Sequence, residues 1–92
     1  MIAATATPFL PRGVRLHHCK IRQAWLLLAP ERAVKLDQIA VAILQATDGD
    51  RTFTEIVEHL AETFQAPTTQ IATDVDTFLT ELINRRMVEI RA

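Results

Sequence analysis

A single cysteine, Cys19, rules out a disulfide framework and makes a cytoplasmic location the simplest assignment. Glycine is scarce, with two residues in 92, while 49% of the chain is hydrophobic. That balance argues for one small packed domain over residues 1–92 and against disorder away from the ends. No apolar stretch approaches the roughly 20 residues that span a bilayer, so no membrane partner is expected. The first seven residues, Met1 to Thr7, lack the early cation and long apolar run of a signal peptide and read as a flexible lead-in. The phosphate-binding patterns GxGxxG and GxxxxGK are missing, as is HExxH, and Cys19 has no second cysteine for a CxxC pair.

Residues with reactive or metal-binding side chains are present but do not converge. His17-His18-Cys19 is the one cluster of metal-ligand types. Adjacent residues of a strand point to opposite faces, so His17 and His18 do not share an ion, and His59 is distant. A cysteine nucleophile needs an orienting base and an oxyanion site, which a turn around Cys19 does not offer. Asp74 and Asp76 belong to a solvated helical face. No metal, no cofactor, no catalytic residue and no enzymatic activity are expected.

Charge is close to balanced overall, at −1, but unevenly spread. Residues 1–36 carry Arg12, Arg15, Lys20, Arg22, Arg32 and Lys35 against Glu31, a net +5. Residues 37–84 carry nine carboxylates against Arg51, a net −8, and the last eight residues return +2. The front half is therefore basic and the back half acidic.

Periodicity divides the chain at the same place. Thr7-Pro8-Phe9-Leu10-Pro11 is an extended, proline-bounded segment. Val14–His18, Trp25–Leu28 and Ala33–Leu36 read as a three-stranded meander, and the unbroken apolar run Trp25-Leu26-Leu27-Leu28 suits a central strand or one buried on both faces. Pro30 ends that run because proline donates no ladder bond. Asp37 then caps a helix carrying Ala40, Ile43 and Leu44, with Ile39 alongside, and Asp48-Gly49-Asp50 stops it. Thr52 and Glu55 have capping-box spacing, and Phe53, Ile56, Val57, Leu60, Ala61 and Phe64 repeat at helical spacing behind them. Ala66-Pro67-Thr68 is a break. The third helix, Thr68 to Asn84, has Ile71, Val75, Phe78 and Leu82 on one stripe, widened by Leu79 and Ile83. Met87–Ile90 either forms a short terminal strand or packs on the core. The fold class is α+β and winged-helix-like: a three-stranded N-terminal antiparallel sheet followed by three helices.

A helix-turn-helix pattern raises nucleic-acid binding, but Thr68 to Asn84 has no cation and three anions, Asp74, Asp76 and Glu81. Phosphate would repel it. Two readings of Leu79 and Ile83 stand side by side. They complete the core, or they line a groove between the third helix and the edge strand Ala33–Leu36, where an added peptide strand would gain main-chain hydrogen bonds.

Leu27-Leu28-Ala29-Pro30-Glu31-Arg32, Ala40 to Leu44 with Asp48-Gly49, Glu55-Ile56-Val57 with Leu60, and Asp74-Val75 with Phe78-Leu79 and Leu82 together resemble the PqqD family over residues 8–90. That family is the peptide chaperone of pyrroloquinoline quinone biosynthesis, a recognition element for ribosomally made, modified peptides. The resemblance implies a non-catalytic domain that binds the precursor peptide PqqA and presents it to the radical S-adenosylmethionine enzyme PqqE. The iron–sulfur chemistry belongs to that enzyme. It implies that the peptide adds as a strand at Val34, Lys35 and Leu36, facing Val75, Phe78, Leu79 and Leu82. Two positions depart from the family's pattern: Arg85-Arg86 stands where a glycine usually closes the last helix, and Cys19 lies near a usual aspartate. A recognition domain for another modified peptide and a DNA-binding regulator are the alternative readings. A meander on a flexible lead-in can exchange between chains, so a monomer and a strand-exchanged dimer are both compatible with the sequence.

Overall fold

In the structure, a computed structural model, residues 2–91 are described; Met1 and Ala92, the ends of the expected 1–92 domain, lie outside the described residues. The elements run β1 (Thr7–Phe9), β2 (Arg15–Cys19), β3 (Ala24–Ala29), β4 (Arg32–Leu36), α1 (Gln38–Ala46), α2 (Phe53–Phe64), α3 (Thr68–Asn84) and β5 (Glu89–Arg91). The strands form two antiparallel sheets. One is the meander β2-β3-β4, and the other is the ribbon β1-β5. The class is α+β, with the expected three-stranded sheet preceding three helices.

Local chemistry sets the helix boundaries. Asp37 Oδ1 accepts from Ala40 N–H at 2.8 Å and starts α1. Thr52 and Glu55 form the full capping box of α2: Thr52 Oγ1 accepts from Glu55 N–H, and Glu55 Oε1 accepts from Thr52 N–H. Gly49, at φ 83, turns the chain between α1 and α2.

Residues 2–7, which the sequence reads as part of a flexible lead-in, make defined contacts with α2 and α3. The first N–H groups of a helix have no partner within it. Here Phe53 N–H donates to Ala6 O at 2.8 Å and Thr54 N–H to Ala4 O at 3.2 Å. Ile2 N–H donates to Asp76 Oδ1 at 2.8 Å, and Ile2 and Ala6 are buried. The segment is held because it completes the N-terminus of α2. Beyond it β1 pairs with β5, Pro8 opposite Ile90. Arg91 lies over the Phe9 ring at 4.7 Å and donates to Gly49 O at 3.1 Å, which fixes the ribbon to the α1–α2 loop.

The core joins Leu27 and Leu36 from the sheet to Ile43, Leu44, Ile56, Leu60, Val75, Leu79, Leu82, Met87 and Val88. Met87 and Val88 are buried and β5 begins after them, so both alternatives for the C-terminal segment are realised, one in each half.

α3 closes with a Schellman motif. Met87 N–H donates to Leu82 O at 2.8 Å and Arg86 N–H to Ile83 O at 2.9 Å. The closing residue, Arg86, has φ 61. This is the position where the family's glycine was expected, and an L side chain is strained there. Arg86→Gly is therefore expected to stabilise the domain by about 0.5–1 kcal/mol, raising the thermal midpoint by about 4 °C. An unchanged or lower midpoint in a thermal melt would show that Arg86 carries no such strain.

Candidate functional site

The site begins with the register of one hairpin. β3 and β4 are joined by the two-residue loop Pro30-Glu31, with Ala29 opposite Arg32. The pair that closes such a loop is hydrogen-bonded, and bonded pairs then alternate along the ladder. Val34 and Leu36 bond back to β3, whereas Ala33 and Lys35 direct their N–H and C=O groups away from it. Among the described residues no strand takes those groups, because β4 is an outer strand of its sheet. Side chains alternate as well. Val34 and Leu36 turn to the core with Leu27, and Lys35 is exposed on the opposite face.

The edge of β4 is made distinctive by the helix it leads into. The strand runs through the cap Asp37 directly into α1. Ile39, three residues beyond Leu36, is 57% exposed, and Phe64 at the end of α2 is 43% exposed. Together with Ile43, Leu60, Ile71 and Val75 they line a cavity of about 180 Å³ where the three helices meet. Gln70 and Asp74 are its polar members. On the other flank of α1, a recess of about 250 Å³ is lined by Trp25, Lys35, Leu36, Gln38 and Val41. A larger recess of about 460 Å³ lies between α2, the start of α3 and Ile2 and Ala4, but no free strand edge lines it.

The seven residues carried over from the resemblance divide clearly. Leu36, Val75, Leu79 and Leu82 are buried members of the core. Val34 and Phe78 are half-buried and packed against it, and Lys35 is exposed. The buried line of α3 is Val75, Leu79 and Leu82, with Ile71, Phe78 and Ile83 on its margins. Leu79 thus belongs to the core, while Ile83 is marginal. Ile39, Phe64, Ile71, Gln70 and Asp74 were not read as site residues. Ile39 did carry a signal, as an apolar residue placed off the Ala40–Ile43–Leu44 stripe.

The electrostatics are simple. Among the described residues the ion pairs are Arg51–Asp48 and Arg85–Glu81, both at 3.0 Å and neither in the site. The Asp48 carboxyl is held below the ordinary aspartate range because Asp50 and Arg51 N–H groups donate to it. That feature belongs to the α1–α2 loop. His17 and His18 are exposed, and the His18 ring lies 4.9 Å from that of Trp25, its cross-strand partner. Among the described residues no group of three or more His, Cys, Asp or Glu side chains is arranged to hold a metal, and no helix is long and apolar enough to cross a membrane.

The described residues thus present a free main-chain edge at β4 and, past the cap Asp37, a largely apolar cavity between the three helices. The chain belongs to the PqqD family: the family model for coenzyme PQQ synthesis protein D matches residues 24–88. It is 51% identical over 90 residues to the PqqA binding protein of Rhizobium meliloti (strain 1021), covering 98% of this chain and 92% of the relative. The PqqA binding protein of Xanthomonas campestris pv. campestris (strain B100) is 42% identical over 97% of each chain. Two solved structures share the fold. The solution structure of the PqqD truncation of Methylobacterium extorquens PqqCD, a stand-alone recognition element for ribosomally synthesised and modified peptides, superimposes with a TM-score of 0.82 at 38% identity, over 97% of this chain and 95% of that one. The crystal structure of PqqD from Xanthomonas campestris gives 0.59 at 41% identity, over 95% and 97%.

Proposed function

We propose that this domain is a non-catalytic peptide chaperone of the cytoplasm that binds the precursor peptide PqqA and presents it to the radical S-adenosylmethionine enzyme PqqE. The observation that carries the reading is the free edge of β4, followed along the chain by α1, whose Ile39 and Ile43 line the interhelical cavity with Phe64. A peptide strand beside β4 would bond to the outward N–H and C=O groups of Ala33 and Lys35. One apolar side chain of that peptide would fill the cavity. Val34, Lys35, Leu36 and Phe78 then form or border the docking surface, and Val75, Leu79 and Leu82 hold it from behind. The names of the relatives, PqqA binding protein, support the choice of peptide. Exposed Asp74 and Glu81 on α3 disfavour a DNA-binding regulator.

Calorimetric titration with synthetic PqqA tests the reading. Saturable one-to-one binding is expected. Phe64→Ser, at a half-exposed position with little core volume, is expected to weaken it by about ten-fold while leaving the melt nearly unchanged. A folded domain that ignores PqqA at high concentration would direct the search to precursor peptides of other pathways.

A further inference from the structure

The outer face of the meander contributes nothing to the core, yet it is not polar. Residues opposite one another in the ladder share a face. One row is Arg15, Leu28 and Ala33, and the next is His17, Leu26 and Lys35. Leu27, on the other face, is fully buried, and Leu16, Trp25 and Val34 pack against the core beside it. Leu26 and Leu28 are half-buried but are neither in the core nor packed against it. Two adjacent leucines of the central strand therefore form an apolar stripe with no partner in the fold. Its rim is cationic. Arg15 and Lys35 flank it, and the adjoining hairpin tip carries Lys20 and Arg22 around Ile21, which is 96% exposed. Among the described residues none of these four cations forms an ion pair.

We infer that this outer sheet face, centred on Leu26 and Leu28 and rimmed by Arg15 and Lys35, docks an acidic protein surface with an apolar centre on the enzyme that modifies the bound peptide. The inference rests on the presentation reading above. Unpaired cations around an apolar stripe call for a partner of opposite charge that buries leucine, which is a protein surface more than a nucleic acid. The face is also free when the peptide is bound. Peptide at the β4 edge and in the interhelical cavity leaves Leu26, Leu28 and Arg15 uncovered, since β2 lies two strands, about 10 Å, from that edge. A strand added beside β4 extends the same sheet. Its alternate side chains then join the outer face next to Ala33 and Lys35, so a protein seated there touches the domain and the peptide together. Presentation needs such a shared surface.

The test uses the full chain, purified PqqE and synthetic PqqA. Arg15→Glu, at an exposed position remote from β4, is expected to weaken PqqE binding by about ten-fold or more and to reduce its salt dependence. Its affinity for PqqA stays within about two-fold of wild type, because it touches neither edge nor cavity. Leu26→Gln is expected to act the same way through the apolar centre. If Leu26→Gln unfolds, Arg15→Glu still decides. Wild-type affinity for PqqE in Arg15→Glu would overturn the inference and leave peptide binding intact. A wild-type domain that binds PqqA but not PqqE would overturn the presentation reading, and this face with it. Concentration-dependent dimerisation abolished by Arg15→Glu, with PqqE affinity unaffected, would assign the face to a second copy and also overturn it.

Discussion

Lys35→Pro is expected to leave the domain folded and to weaken PqqA binding by about ten-fold or more. Proline removes one thing that strand addition at this edge requires, an outward N–H, and adds ring atoms where the incoming strand would lie. Losing one net main-chain hydrogen bond costs about 0.5–1.5 kcal/mol, and the steric term of the ring is additional. The fold tolerates the change because Lys35 is exposed on an edge strand and its N–H is not a ladder donor to β3. The preceding residue, Val34, is already in a strand, the conformation that proline imposes on its predecessor. Lys35→Ala is the control, since it removes the charge and keeps the donor. Calorimetry on both separates the two contributions. A folded Lys35→Pro that binds PqqA as well as Lys35→Ala would refute augmentation at β4.

The same register explains what could and could not be read from the sequence. α3 was legible to its ends, Thr68 and Asn84, because Pro67 marks its start and the apolar repeat persists for its length. The capping box was legible because it is local. The ribbon of β1 with β5 was not, because its partners stand some eighty residues apart and one of them contains Pro8. No local pattern encodes such a pairing. The apolar run Trp25–Leu28 allowed either a central strand or burial on both faces. It is central, and the helices cover only one face, which leaves Leu26 and Leu28 outside the core. The cavity was invisible for a related reason. Phe64 and Ile39 sit where apolar stripes run past the core they serve, and a stripe does not announce where its neighbour ends.

The core line of α3 carries the second large effect. At 100° per residue Val75, Leu79 and Leu82 fall within roughly 60° of one another, and they are the buried residues of the helix. Leu79→Ala is expected to destabilise the domain by about 3 kcal/mol, because truncating a fully buried leucine loses transfer free energy and leaves a cavity. A small domain has about 5–10 kcal/mol in total, so the thermal midpoint should fall by about 15 °C. Phe78→Ala removes a larger side chain but a half-buried one, and its cost is expected to be smaller, about 1–2 kcal/mol. The order of the two is the informative result. The sequence stripe Ile71–Val75–Phe78–Leu82 includes Phe78 and leaves Leu79 to one side, which reverses it. Urea melts of the two variants decide between these rotations of α3. The choice reaches the site, because Ile71, Asp74 and Val75 of the same helix line the cavity beside Phe64. Were Phe78→Ala the costlier change, that wall of the cavity would be misplaced and the peptide's apolar anchor would have to be sought elsewhere.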